Sequence, residues 1–167
     1  MKFLYSLLFV FILGSMCSVT VAAQSSQYSI PECNLSKSQK FVGDRLRLPL
    51  PKGAIIKTGR DIDYEDYYIG FGVKKNRVWL SGIYGPTATG GKVSNQWLTG
   101  SNDITQRIWK FSGGGEGIDV KGKLANGNYW RYLGQYGEAI KYYDVPAEAA
   151  AYFDKIIENL CYQEWKQ

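Results

Sequence analysis

The side chains able to do chemistry in this 167-residue chain are carboxylates, lysines, tyrosines and three cysteines, because histidine is absent. That absence removes the Ser-His-Asp triad, the Cys-His thiol nucleophile, the HExxH zinc helix, histidine-held haem and the imidazole proton shuttle. Paired carboxylates survive as catalysts, since glycoside hydrolysis needs only two acids flanking the scissile bond. Glu116, in a glycine-rich stretch, and Glu138, at the head of the last alternating run, are the candidates for such a pair. Nothing in the sequence sets their separation.

Asp61, Asp63 and Glu65 alternate within a single acidic run, a spacing that can turn oxygen ligands toward one cation. A calcium loop of the EF-hand kind also needs glycine at its sixth place and glutamate at its twelfth. Asp66 and Gly72 stand there, so a solvated acidic turn is expected and no metal. The cluster Gly113-Gly114-Gly115-Glu116-Gly117 is followed by no Gly-Lys-Ser/Thr, and it leads into a strand-like run instead of a helix whose N-terminus could hold an anion. It reads as a strand connection, and no cofactor is expected.

The richest pattern lies on either side of Asn126-Gly127, a dipeptide suited to a two-residue type I′ turn with positive φ at both central positions. With Ala125 facing Asn128, Lys123 stands opposite Trp130 and Lys121 opposite Tyr132. One face then carries Ile118, Val120, Leu124, Tyr129 and Leu133 toward a core, and the other carries Lys121, Lys123, Trp130 and Tyr132. Exposed, this second face is an aromatic strip flanked by ammonium groups, suited to stacking on sugar rings or bases or to meeting a protein; the equal alternative is a face buried under the glycine-rich loops or the long Lys92–Asp103 segment. A one-residue slip would turn Trp130 and Tyr132 inward and set Lys123 against Arg131, so the first register is preferred.

The elements that must position these groups begin after a removable leader. Lys2, the apolar run Phe3 to Leu13 and Val21-Ala22-Ala23 read as a secretory signal cleaved after residue 23. The apolar core is too short to span a bilayer, which takes about 20 residues, and Met16 is too large to precede a lipid-modified Cys17. Cleavage removes Cys17 and Lys2, leaving a formal charge one unit below the full chain's +5. Cys33 and Cys161 remain, and in an oxidising compartment they are expected to form one disulfide, stabilising by about 4–5 kcal/mol in a chain-entropy account. Neither sits in a CxxC spacing that would suggest redox activity. Basic residues are scattered, so no nucleic-acid partner is expected.

Residues 24–40 form an N-terminal segment tethered by Cys33, loose over Gln24 to Ser29, with a sequon at Asn34-Leu35-Ser36. Residues 41–167 read as a single domain. Arg45 to Leu50 alternates as an edge strand marked by Pro49; Tyr67 to Val73 and Val78 to Tyr84 form a hairpin around Lys74 to Arg77. Gly85 to Gly91 is a loop, a short helix is placed near Gln96 to Leu98, and Arg107 to Phe111, Ile118 to Leu124, Asn128 to Tyr136 and Glu138 to Asp144 complete the strands. Ala147 to Cys161 is a helix, with Pro146 at its start and Ala150, Phe153, Ile156, Ile157, Leu160 and Cys161 on one stripe.

The fold class expected is α+β: a mostly antiparallel sheet of about five to seven strands with the C-terminal helix packed on it and one N-to-C-terminal disulfide. The expected protein is an exported, periplasmic or secreted, non-enzymatic binding or accessory module. It would contact a protein or carbohydrate of the envelope or extracellular space, with no membrane span after signal removal. In the accessory form a partner completes the Arg45–Leu50 edge. The alternative is a histidine-free carboxylate hydrolase acting on polysaccharide.

Overall fold

A computed structural model describes residues 26–34, 40–85, 93–110, 115–135 and 137–163. The leader 1–23 with Cys17, residues 35 and 36 of the sequon, the loop at 86–91 and 112–114 of the glycine-rich connection lie outside the described residues.

In chain order the elements are β1 (Ser26–Ser29), β2 (Phe41–Val42), β3 (Leu46–Pro49), β4 (Ile55–Arg60), β5 (Glu65–Phe71), a 3-10 turn (Lys74–Asn76) and β6 (Val78–Tyr84). There follow α1 (Asn95–Thr99), β7 (Ser101–Lys110), β8 (Glu116–Leu124), β9 (Tyr129–Gln135), β10 (Glu138–Val145), α2 (Ala147–Glu158) and β11 (Cys161–Tyr162). The main sheet has eight strands in the order β1-β7-β8-β9-β10-β6-β5-β4, and a second has three, β11-β3-β2. The α+β class, the C-terminal helix and the disulfide are as the sequence suggests, but the sheet is larger than expected and mixed. β1, expected to be loose, pairs parallel with β7. β4 closes the other edge, and all six of its residues are exposed. Strands that bury so little carry no alternation of apolar and polar residues by which to read them.

β3 alternates as expected, with Leu46 and Leu48 buried. It is not an edge, because β11 pairs with it on one side and β2 on the other. Pro49 is tolerated at its last position. The edge strands are instead β1 and β4 in the main sheet and β11 and β2 in the small one.

Aromatic rings laid across glycines set the register of the main sheet. Tyr67 stands opposite Gly82, Trp79 opposite Gly70, Trp109 opposite Gly117 and Trp130 opposite Gly122. A Cβ on Gly82 would lie 2.0 Å from the ring of Tyr67, which is itself buried. Gly82→Ala is expected to destabilise by about 1–3 kcal/mol through overpacking, read as a lowered urea midpoint. An unchanged midpoint would show that Tyr67 has somewhere else to go.

The same device explains why the β8–β9 hairpin departs from the expected pairing. The Gly127 N–H donates to Leu124 O at 2.9 Å and the Leu124 N–H to Asn128 O at 2.8 Å, closing a three-residue loop. Gly127 takes φ +89°, whereas Asn126 is not among the positive-φ residues, so the two-residue type I′ turn is not formed. Asn126 instead turns its side-chain oxygen onto the Asn128 N–H at 3.0 Å. Each pair shifts by one, giving Lys123 opposite Tyr129, Gly122 opposite Trp130, Lys121 opposite Arg131 and Val120 opposite Tyr132.

α2 starts after Pro146, carries Glu148 in its first turn and Lys155 in its last, and buries Ala149, Ala150, Phe153, Ile156 and Ile157. These pack with Leu133, Ile140, Tyr142 and Val145 on one face of the main sheet and with Leu46 and Leu48 of the small one. The helix ends earlier than expected, and Cys161 belongs to β11. Cys33 and Cys161 are bonded across Cα atoms 4.9 Å apart, beside a bridge between Glu32 and Tyr162.

Candidate functional site

The shifted hairpin register separates the four residues expected to form one strip. Trp130 and Tyr132 are 0% and 5% exposed and pack with Val120, Leu124 and Ala139. Val93 and Trp97 lie against that cluster, with the Trp97 ring 5.7 Å from that of Trp130. The indole N–H of Trp130 donates to Ser101 Oγ at 2.6 Å, satisfying its one polar group. Lys121 and Lys123 point to the opposite, α2-bearing face, which they share with Arg131. The expected strip is therefore corrected: its aromatics are core, and its ammonium groups lie on the other side of the sheet.

The nominated carboxylates do not meet in a pocket. Glu116 is exposed at the start of β8, 3.9 Å from the Lys110 ammonium. Glu138 is buried, with its oxygens turned to the backbone N–H groups of Leu46 (3.1 Å) and Asp44 (3.4 Å). Burial, only partly offset by those N–H groups, pushes its carboxyl up to about 7. In the acidic run, Asp61 accepts from its neighbour Ile62 N–H at 2.7 Å, while Glu65 takes the Tyr84 hydroxyl and lies 3.5 Å from Arg60. This is the turn between β4 and β5. Among the described residues no three acidic or sulfur side chains are grouped to hold a metal.

An aromatic face with flanking cations does exist, on other strands. β5 sends Tyr67, Ile69 and Phe71 toward α2, which leaves Tyr68 and Gly70 on the opposite side. Trp79 of β6 lies across Gly70, where an added Cβ would sit 2.9 Å from the indole. The Tyr68 ring meets the Trp79 ring edge-on at 6.4 Å and 84°. The Lys57 ammonium stands 4.6 Å over the indole and the Arg77 guanidinium 5.7 Å from it. Asp66 accepts from the Tyr68 hydroxyl at 2.9 Å and fixes that ring. Tyr68 and Trp79 are half-buried and Lys57 is exposed. The sequence held the signal in plain view, as a tyrosine and a glycine alternating on β5 opposite a serine and a tryptophan on β6.

Beneath α2 the other face carries a buried ionic network. Arg131 Nε and Nη2 each donate to Asp119 at 2.8 Å, and its Nη1 donates to Asp154 at 2.8 Å. Arg107 donates to Asp119 at 2.5 Å, the Tyr28 hydroxyl donates to Asp119 at 3.2 Å, and the Tyr142 hydroxyl donates to Asp154 at 2.9 Å. Burial would raise the Asp119 carboxyl, but hydrogen bonds and charge from Arg131 and Arg107 outweigh it and hold the group below the usual range. Beside this network a cleft of about 410 Å³ opens between the alanines of α2 and strands β7 to β9.

No protein-family model, curated protein or solved structure matches the chain, so function rests on this geometry.

Proposed function

We propose that the protein is an exported, non-catalytic module that binds acidic polysaccharide on the open face built from Lys57, Tyr68, Arg77 and Trp79. The arrangement at Trp79 carries this reading: a half-buried indole laid on glycine, edged by a tyrosine and attended by two cations. Sugar rings stack their C–H faces on such aromatics, while ammonium and guanidinium groups pair with uronate or sulfate charges. Lys57 can swing off the indole at small cost, because an exposed cation–π contact is worth only about 0.5–1 kcal/mol. Export is supported by the apolar leader and by the Cys33–Cys161 disulfide, which persists in an oxidising compartment. Among the described residues no helix is long and apolar enough to cross a membrane.

Affinity electrophoresis tests the proposal. The disulfide-intact protein should be retarded by polygalacturonate more than by neutral dextran, and added salt should weaken the effect. Trp79→Ala should weaken retardation about tenfold or more, the equivalent of about 1–3 kcal/mol of lost stacking, in gels run well below the variant's lowered thermal midpoint so that it is compared folded. Lys57→Ala with Arg77→Ala should erase the preference for the acidic polymer. Equal mobility of wild type in both gels and in blank gel, or undiminished retardation of Trp79→Ala, would overturn it.

A further inference from the structure

We propose that the cleft under α2 is a second binding site, independent of the aromatic face, for a hydroxylated organic anion the size of one sugar acid or sugar phosphate. Its volume of about 410 Å³ falls within the range of ligand pockets, roughly 300–1,000 Å³. The cleft exists because α2 presents alanine at 147, 150 and 151, where larger apolar residues would close it against the sheet. Lys121 and Lys123 line the facing wall and, two apart on one strand, root their side chains about 7 Å from each other on the same face. That spacing lets both ammonium groups reach one carboxylate or phosphate.

The network next to the cleft fixes one of those cations without neutralising the pair. The Lys121 ammonium lies 3.6 Å from Asp154 Oδ2, while the other Asp154 oxygen is held by Arg131 and by the Tyr142 hydroxyl. Asp119 and Asp154 are already offset by the guanidinium groups of Arg131 and Arg107, so the Lys121 charge is surplus. Lys123 adds a second, resting 5.6 Å from the Tyr129 ring that walls the cleft. Asp103 and Thr105 at the rim supply an acceptor and a hydroxyl. A bare anion would be repelled by Asp103, whereas a hydroxylated one can donate to it. That contrast selects the ligand class.

Calorimetric titration with glucuronate, glucose 6-phosphate, glucose and inorganic phosphate tests the site and separates carboxylate from phosphate chemistry. At least one of the two anionic sugars should bind with Kd near or below about 1 mM, and glucose and inorganic phosphate at least tenfold more weakly. Lys121→Ala and Lys123→Ala should each weaken binding about tenfold, and Ala151→Leu should abolish it by filling the cleft while leaving every charge in place. Trp79→Ala should leave it unchanged, so failure of this site and failure of the aromatic face are read separately. The proposal is overturned if neither anionic sugar binds with Kd near or below about 1 mM, if glucose or inorganic phosphate binds as well as they do, or if the lysine variants or Ala151→Leu bind like wild type.

Discussion

Replacing Arg131 with methionine is expected to destabilise the protein by about 3–5 kcal/mol, seen as a fall in the urea midpoint with little change in slope. The side chain is 1% exposed and is the hub between a β8 carboxylate and an α2 carboxylate. Methionine keeps much of the stem's volume but leaves Asp119, itself 2% exposed, with only the half-exposed Arg107 and the Tyr28 hydroxyl as partners. The loss is the cost of a poorly compensated buried charge more than of a missing attraction. Combining it with Asp119→Leu should therefore restore part of the stability, since apolar replacement of a whole buried pair is often neutral. If the double variant is less stable than Arg131→Met alone, the network stabilises through geometry that apolar packing cannot replace. The sign with pH follows from the depressed Asp119 carboxyl: its contribution is present above the ordinary carboxylate range and is lost as pH falls through the folded-state value.

Glu138 should give the opposite pH dependence. Its carboxyl sits near 7 in the folded protein against 4.5 for the unperturbed group, so the folded state holds the proton more tightly than the unfolded chain does. Its contribution to stability is then full below pH 4.5 and declines as pH rises through 7, by about 3 kcal/mol in all. Glu138→Gln removes the titration while keeping an oxygen to accept from the Leu46 N–H. The variant should match wild type within about 1 kcal/mol at pH 5 and exceed it by about 2–3 kcal/mol at pH 9, in urea titrations run at both values. Parallel pH profiles for the two proteins would mean that Glu138 stays ionised in the fold, its charge held by the N–H groups of Leu46 and Asp44.

What was legible in the sequence was whatever buries a repeating face. The stripe on α2, the Leu46–Leu48 alternation and the Ile69–Phe71 run each place apolar residues on one side at the period of their element and are buried or packed against the core, whereas Val73, expected to continue that run, lies past the end of β5 and is exposed. Setting Cys17 aside with the expected leader leaves Cys33 and Cys161, the two that are bonded. β1 and β4 stayed hidden because edge strands need no apolar period. The hairpin register stayed hidden because glycine with positive φ serves both a two-residue and a three-residue loop. The choice between them was made by Trp130 filling the space over Gly122 and by Asp119 and Asp154, which hold Arg131 where it stands opposite Lys121. Such contacts join β8, β9 and α2, and no local window contains them. For the same reason the pairing of Arg131 with Asp119 and Asp154 is not legible within its own hairpin.

The bond between Cys33 and Cys161 also has a mechanical meaning. It encloses a loop with a sequence separation of 128, in which every element from β2 to α2 is strung. Tension applied at the two chain ends passes through the sulfur atoms and bypasses that loop. Among the described residues the paired segments outside the bond are β1, which would be peeled from β7, and Tyr162 with Gln163, which would be peeled from β3 and Arg45. Pulled between two anchorages in an oxidising space, the molecule behaves as a short inextensible link; reduction of one covalent bond turns it into an extensible tether.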